Sequence, residues 1–243
     1  MWVIDGSSAI DSLHSSTASP GRYGYALVLS GERLGCSYVE REVGLPEDWV
    51  GRDPRSVRTG VPEWELALTD SMPAGTPPVP RRSDILTGSP AQKARRRAEL
   101  ICDLVAEIAG SQVTPAETRV VNIGVAGEIL LALAGRGYQV AACDNNPNLA
   151  GFDFAGIRIE PVENRLALLD RSHFAILTAM TMHSCEFDTI LDHAAASGCK
   201  VIVYGQTGHS LTEILEFGAH ALVSETFPPY IFPGPSTVHT YFR

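Results

Sequence analysis

The residues best suited to bind a ligand lie in one stretch, where an apolar run enters a glycine turn and an acid follows. The stretch VVNIGVAGEILLALAGRGYQVAACDNN predicts a strand, a turn, a helix and a second strand that ends at Asp144. Gly124 and Gly127 allow the backbone to approach a ligand at the start of the helix. Asp144 follows Gly124 by about 20 residues, where such folds place a carboxylate on ribose hydroxyls. The stretch therefore predicts a site for an adenosine-type ligand.

The residues beside the turn and the acid extend this predicted binding set. Val125 lies within the turn, and Asn145 and Asn146 directly follow the acid. The two asparagines could hydrogen-bond the edge of an adenine, or they could cap the loop before the proline that comes next. The charge of Asp144 repels a 2′-phosphate, so NADP is disfavoured as the ligand.

Polar side chains also follow the fourth and fifth predicted strands, in TAMTMHS and YGQTGHS. In an open parallel sheet these carboxyl-end turns lie beside the first glycine turn, so we predict that Thr178 and Tyr204 contact the ligand. Thr181, His183 and His209 are the candidates for catalysis, because short hydroxyls and imidazoles can orient an amine or a carboxylate and exchange protons. The same two histidines could instead bind a metal, or lie near the cleft without a role.

The sequence contains no motif that would predict a metal site. Its seven histidines include no HExxH and no Cys–His pair at zinc-finger spacing. The five cysteines are unevenly spaced and odd in number, which is typical of reduced thiols. Cys185, in TMHSCEF beside the fourth strand's turn, is the thiol singled out as a candidate for a role other than packing.

From residue 119 onward, short apolar runs alternate with helical patterns that end in glycine. The predicted strands are 119–124, 138–144, 157–161, 174–180, 200–205 and 221–227. The intervening segments GEILLALAGRG, CEFDTILDHAAASG and SLTEILEFG have helical spacing. Buried strands separated by helices indicate right-handed crossovers and a parallel sheet. The predicted fold is α/β, a Rossmann-like parallel sheet with a small N-terminal α+β domain.

The N-terminal part has a different pattern. Residues 23–39 alternate around an SGER turn and predict a β-hairpin, whereas residues 44–90 are rich in proline and glycine and predict a connector with one helix in VPEWELALTDSM. A helix is predicted from a Ser89 cap to a Gly110 stop, with the basic run at 93–97 on a solvated face. We therefore divide the chain into a domain at 1–88 and a ligand-binding domain at 89–243.

The composition of the chain limits the classes of partner that it is expected to bind. The chain has 243 residues and a formal net charge of −9, which argues against nucleic-acid and anionic-membrane surfaces and favours a small-molecule substrate. It has no apolar stretch of about 18 residues, and its first residues lack the pattern of a signal peptide. A cytoplasmic location is expected, and a homodimer would be compatible with the sequence.

The tail SETFPPYIFPGPSTVHTYFR combines four prolines with five aromatic residues and shows no helical pattern. It could be a structural segment with no role in binding, or it could close over the ligand with Phe227, Tyr230 and Phe232. Aromatic faces hold a sulfonium cation well, so this tail favours S-adenosylmethionine over NAD.

Two family resemblances follow from these motifs. The glycine turn and Asp144 resemble the first motif of class I S-adenosylmethionine methyltransferases, although that family carries an acid where this chain has Asn122. The order of GYALVLSGERLGCSY, ILTAMTMHSCEFDTILDHA and VIVYGQTGHSLTEILEFGAHALVSE looks like the DUF4213–DUF364 proteins, a family linked to heavy-metal chelation. The first resemblance implies S-adenosylmethionine as cosubstrate or substrate, and the second implies a Rossmann-like domain behind a small N-terminal domain.

Together these observations predict an S-adenosylmethionine-dependent transferase or cyclase that acts on a small molecule. Methyl transfer is one reaction; the other is attack of the aminobutyrate amine on its own γ-carbon with release of methylthioadenosine, as in the methyltransferase-like azetidine-2-carboxylate synthases. The alternative from another class is a non-catalytic binder of a heavy metal or a metabolite. A nicotinamide oxidoreductase would fit the fold, but the chain lacks a full dinucleotide turn.

Overall fold

The computed structural model describes residues 10–15, 24–39, 43–58, 60–72, 78–111, 113–184 and 186–243. Cys185, the thiol singled out in the sequence, lies outside the described residues.

The N-terminal part forms a three-stranded antiparallel sheet of β1 (Ile10–Ser15), β2 (Gly24–Ser30) and β3 (Arg33–Val39), followed by α1 (Pro62–Asp70). The β2–β3 pairing confirms the predicted hairpin. Gly35 lets α1 pack directly on β3, because a Cβ at this position would overlap the backbone oxygen of Ala67. The buried Trp49 and Trp64 meet edge to face at 6.3 Å between ring centroids and fill this small core.

The rest of the chain builds a nine-stranded sheet. Its strands are β4 (Arg82–Leu86), β5 (Arg119–Ile123), β6 (Gln139–Asp144), β7 (Asp153–Phe154), β8 (Ile157–Pro161), β9 (Phe174–Thr178), β10 (Lys200–Gly205), β11 (Ala221–Glu225) and β12 (Ser236–Phe242). The spatial order is β4-β12-β11-β10-β9-β5-β6-β8-β7. The six strands from β11 to β8 are parallel, whereas β4, β12 and β7 pair antiparallel at the two edges. Numbered along the chain, the parallel strands have the 3-2-1-4-5-6 order of a doubly wound dinucleotide-type sheet.

Helices cover both faces of this sheet, which confirms the predicted Rossmann-like class. They are α2 (Pro90–Ala109), α3 (Gly127–Gly135), α4 (Arg165–Asp170) and α5 (Phe187–Ser197). The apolar stripes of α2 and α3 pack in one core, and those of α4 and α5 pack in the other. A reciprocal capping box between Ser89 and Gln92 starts α2 where the sequence predicted.

Two expectations differ from the structure. SLTEILEFG contains only a 3₁₀ turn at Thr212–Leu215, because Leu211 offers no capping side chain and Gly218 turns the chain at a φ of 124°. The basic run is a solvated face only in part: Arg95 and Arg96 are exposed, whereas Lys93 and Arg97 are buried by contacts with residues far along the chain. The tail, for which no helix was predicted, forms β12 with its alternating residues.

The strand β4 lies in the interval assigned to the N-terminal domain, yet it pairs with β12 at the edge of the large sheet. The pairing attaches the connector to the last strand. The division of the chain at residue 88 remains a prediction.

Candidate functional site

A cavity of about 870 Å³ opens at the carboxyl ends of β5 and β9. These two strands are neighbours in the sheet, and the strand order reverses between them. Crossovers leave in opposite directions at such a switch point, and the gap between them is where open α/β sheets bind ligands.

The cavity has two sides. The turn side consists of Gly124, Val125, Gly127, Asp144 and Asn145, and the cover side consists of Tyr38, Glu63, Arg97, Tyr230 and Ile231. Between them lie residues from the turns after β9 and β10, including Thr178, Thr181, His183, Tyr204, Gln206 and Thr207. Of the predicted site residues, Asn146 and His209 do not line the cavity.

The glycine turn is held by groups that come from its own strands. Gly124 has a φ of 78°, and a Cβ at this position would overlap Thr178 Cγ2, so only glycine fits. Asn122 Oδ1 accepts a hydrogen bond from the Ala126 amide at 3.0 Å. Its Nδ2 donates to Ile176 O at 2.9 Å. The residue that replaces an acid of the methyltransferase motif is therefore a buried support of the turn.

Asp144 supports the same turn from the next strand. One carboxylate oxygen accepts from the Val125 amide at 2.7 Å, and the other accepts from the Asn146 amide at 2.8 Å. Each oxygen keeps a further lone pair, so a ribose hydroxyl could still donate to it. Asn146 instead caps its own loop, because its Oδ1 accepts from the Asn148 amide at 3.0 Å.

The helix that follows the turn begins without a cap. Ala126 occupies the N-cap position and makes no side-chain hydrogen bond to the first amides of α3. Uncapped amides at a helix start can donate to a ligand. Glu128 in the first turn and the nearby Asp144 both line the cavity, and their charges oppose the binding of a phosphate there.

The turn after β9 supplies His183 and Thr181. His183 Nε2 lies 2.7 Å from the hydroxyl of the buried Ser37 on β3. Burial lowers the pKa of His183, against a weaker upward effect of Glu63, so the ring is neutral near pH 7. Thr181 donates its hydroxyl hydrogen to Thr178 O at 2.7 Å. Both side chains line the cavity, as the sequence predicted.

His209 has a different position. Its Nδ1 lies 2.8 Å from Oδ2 of the buried Asp70 at the end of α1. Burial lowers the pKa of His209, but the hydrogen bond and charge of Asp70 outweigh it and the net shift is upward. Asp70 also accepts from the amides of Cys36 and Ser210, at 2.9 and 2.7 Å. These contacts join α1 and β3 to the turn after β10.

Arg97 on α2 is the main residue of the cover side that the sequence analysis missed. Its Nη1 donates to Glu225 at 2.9 Å, and its guanidinium lies 4.1 Å from the ring centroid of Tyr230. Burial lowers the pKa of Arg97, but Glu225 together with the neighbouring Tyr230, Tyr204 and Tyr38 raises it further, so the side chain stays charged. The buried Lys93, one turn earlier, donates to Phe232 O and Gly234 O at 2.7 and 2.8 Å.

A signal for these two residues was present in the sequence. Lys93 and Arg97 are four residues apart and continue the apolar stripe that includes Ile101, so they face the sheet rather than solvent. Among the aromatic residues of the tail, Tyr230 lines the cavity, while Phe227 and Phe232 pack on Tyr25 with centroids 6.0 and 5.8 Å away.

The ionisable groups of the lining are mostly acidic. Four acids, Glu63, Glu128, Asp144 and Glu186, face two bases, Arg97 and Arg165. Arg165 pairs with Glu186, and Arg97 pairs with Glu225, which is buried and does not line the cavity. Burial also raises the pKa of the lining Tyr204 to about 12, which keeps its phenol neutral. The cavity therefore favours neutral or cationic groups over phosphates.

Within the described part of the chain, no three His, Cys, Asp or Glu side chains lie close enough together to hold a metal ion. Across the same residues, none of the helices combines the length and apolar character needed to cross a bilayer.

No protein-family model matches the chain, and no curated protein matches it significantly. Two solved structures resemble it over nearly its whole length. A DUF364-family protein of unknown function from Desulfitobacterium hafniense aligns with a TM-score of 0.61 and 13% identity, covering 97% of this chain and 92% of the other. A second, from Pyrococcus horikoshii, aligns with a TM-score of 0.50 and 16% identity, covering 95% and 92%. At these identities the likeness shows the fold: a Rossmann-like sheet with its N-terminal unit, as in the DUF364 structures.

Proposed function

We propose that the chain binds S-adenosylmethionine in this cavity and acts on it as a transferase or cyclase. The charge balance of the lining is the observation that carries this proposal. A dinucleotide would bring a pyrophosphate to the start of α3, beside Glu128 and Asp144. S-adenosylmethionine has a sulfonium and no phosphate, so it suits an acid-rich cavity at a nucleotide-type switch point.

The turn side suits the adenosyl half of this ligand. Gly124 brings the backbone to the cavity wall, and Asp144 is held in place by two amides with lone pairs still available for ribose hydroxyls. Asn145 lines the same end and could contact the adenine edge.

The aromatic residues suit the sulfonium. Tyr38, Tyr204 and Tyr230 line the cavity from β3, the end of β10 and the tail loop. An aromatic face attracts a desolvated cation with an energy of about 0.5–2 kcal/mol. Three such rings around one cavity favour a cationic ligand over a neutral nucleoside.

The turn after β9 suits the reacting end. Two reactions are possible at this end. In the first, a small acceptor takes the methyl group. In the second, the ligand's own amine attacks its γ-carbon, the carbon–sulfur bond breaks, and the electron pair of that bond stays on the sulfur of methylthioadenosine. Either nucleophile must lose a proton. His183 is neutral and can accept one on Nδ1 while its Nε2 stays bound to Ser37, and Thr181 can orient the amine.

Calorimetry tests the binding step. We expect S-adenosylmethionine and methylthioadenosine to bind with micromolar affinity or tighter, and NAD to give no heat. Heat from NAD or from a divalent metal, with none from either adenosyl ligand, would contradict the proposal. Mass spectrometry of incubated ligand then separates the two reactions, since methyl transfer leaves S-adenosylhomocysteine and cyclisation leaves methylthioadenosine.

A further inference from the structure

Arg97 uses few of its hydrogen-bond donors. A guanidinium has five N–H donors in a fixed plane. Among the described residues, Arg97 makes one hydrogen bond, from Nη1 to Glu225, and its Nε has no hydrogen-bond partner. The side chain is only 9% exposed, yet it lines the cavity. The Nε atom is itself buried, so an acceptor on a ligand in the cavity would bond to the remaining guanidinium donors.

Glu225, the partner of Arg97, has several hydrogen-bond partners. Glu225 is fully buried, and besides Arg97 it accepts from Gln206 Nε2 and from the Tyr230 amide, the latter at 2.7 Å. Three hydrogen-bond donors therefore stabilise the negative charge of its carboxylate. The ion pair is unequal, because in the ranges that the structure describes the acid accepts three hydrogen bonds whereas the base donates one.

The orientation of the guanidinium is also fixed. It stacks at 4.1 Å on Tyr230, lies 5.7 Å from the ring centroid of Tyr204 and stands on the long helix α2. A planar fork held in one orientation matches a carboxylate, which can accept two parallel hydrogen bonds. A phosphate would match the fork too, but the four acids of the lining oppose its higher charge.

We infer that Arg97 binds the carboxylate of an amino-acid-type ligand. The inference deepens the proposed function and rests on it for the ligand's identity: the adenosyl half contacts the turn side, and the carboxylate of the aminobutyrate arm binds Arg97 on the cover side. The arm then crosses the aromatic residues, which places the sulfonium between the two ends.

Three ligands that differ only in the arm test this assignment by calorimetry. Decarboxylated S-adenosylmethionine keeps the sulfonium and the amine but lacks the carboxylate, and methylthioadenosine lacks the arm altogether. We expect the wild-type protein to prefer S-adenosylmethionine over the decarboxylated form by roughly tenfold or more, as for a charged hydrogen-bonded pair.

The Arg97→Lys variant keeps the charge beside Glu225 but loses the planar fork. It should lose most of the preference and bind methylthioadenosine as the wild type does. Arg96→Lys on the same helix is the matched control, because Arg96 is half exposed and pairs with Glu99 at the surface. If Arg97→Lys does not fold, the Nε–H resonance of Arg97 in wild-type protein gives a second readout; it should shift with S-adenosylmethionine and stay unchanged with methylthioadenosine.

Equal affinity of the wild type for the two sulfonium ligands would overturn the inference, as would a preference that survives in Arg97→Lys or an Arg97 resonance that S-adenosylmethionine does not move. If methylthioadenosine and S-adenosylmethionine both fail to bind, the proposed function is wrong, and L-methionine and its amide become the probes. If the wild type binds L-methionine more tightly than the amide and Arg97→Lys removes that preference, the carboxylate site is still supported. Equal affinity of the wild type for the acid and the amide would contradict it.

Discussion

The two sides of the cavity are built in different ways. On the turn side, Asp144 bonds to Val125 only 19 residues away, and Asn122 bonds to Ala126 within the same turn. On the cover side, Arg97 and Glu225 are 128 residues apart, and Lys93 and Phe232 are 139 apart. The turn side is thus built mainly within the β5–α3–β6 unit, with one further bond from Asn122 to Ile176 on β9, whereas the cover side exists only when distant parts of the chain are assembled.

This difference predicts different responses to substitution. Damage to the turn side should change local geometry and ligand affinity, because its bonds lie mainly within one unit. Damage to the cover side should cost global stability, because its bonds connect distant elements through buried charges.

The largest effect is expected on the cover side. Glu225→Ala leaves the Arg97 charge buried without its partner, and we expect a loss of about 3–5 kcal/mol in the free energy of unfolding. The double variant Arg97→Met, Glu225→Gln removes both charges, keeps an acceptor for Gln206 and the Tyr230 amide, and should recover much of that loss. Urea unfolding measures both, and a Glu225→Ala protein within about 1 kcal/mol of wild type would show that the pair does not hold the cover side.

A smaller stability effect is expected on the turn side from Gly124→Ala. The left-handed backbone and the overlap with Thr178 together should cost about 2–4 kcal/mol. Gly137→Ala is the matched control: its φ is 86° but nothing lies near an added Cβ, so it should cost only about 1–2 kcal/mol. Equal costs at the two sites would mean that the contact with Thr178 is unimportant.

Asp144→Ala should mainly affect binding. Loss of a charged acceptor for ribose hydroxyls is expected to weaken nucleoside binding by roughly tenfold, or about 1.5 kcal/mol, while the fold survives. Asn146→Ala serves as the control, since Asn146 caps the same loop without lining the cavity. If calorimetry finds unchanged nucleoside affinity in a folded Asp144→Ala protein, Asp144 supports the turn but does not bind the ligand.

The smallest effects concern pH. The pKa of His209 is raised in the folded state, so its stabilising contribution is complete below the unfolded pKa of about 6.5 and is lost as pH rises through the folded value. The pKa of His183 is lowered, so its contribution is present above about pH 6.5 and is lost as pH falls through the folded value. His209→Gln and His183→Gln should therefore change the pH dependence of unfolding in opposite directions. Changes of the same sign, in denaturant titrations from pH 5 to 8, would refute these environments.

The sequence predicted the turn side well because its signals are local. Glycines at fixed distances, an acid at a strand end and alternating strands and helices all follow from short-range rules, and the six parallel strands lie where their patterns indicated. Nine of the predicted site residues line one cavity, namely Gly124, Val125, Gly127, Asp144, Asn145, Thr178, Thr181, His183 and Tyr204.

The cover side was largely missed for the converse reason. Tyr38 and Glu63 reach the cavity because Asp70 and other contacts attach the N-terminal unit to the turns after β9 and β10. The helical spacing of Arg97 indicates that it faces the sheet, but its partner Glu225, 128 residues away, cannot be assigned from the sequence. His209 follows the fifth strand as expected, but the acid at the end of α1 keeps it beside the contact between units and away from the cavity.

The bonds from Lys93 to the tail loop have a consequence for biosynthesis. A nascent polypeptide can complete the glycine turn, Asp144 and the strands around them while the tail is still inside the ribosome. Phe232 and Gly234, the acceptors for Lys93, are synthesised 139 and 141 residues after it, and β12 follows them to pair with β4. During translation the growing chain therefore exposes an open nucleotide-type turn and an unpaired basic helix, and the pocket can close only after the tail loop has been made.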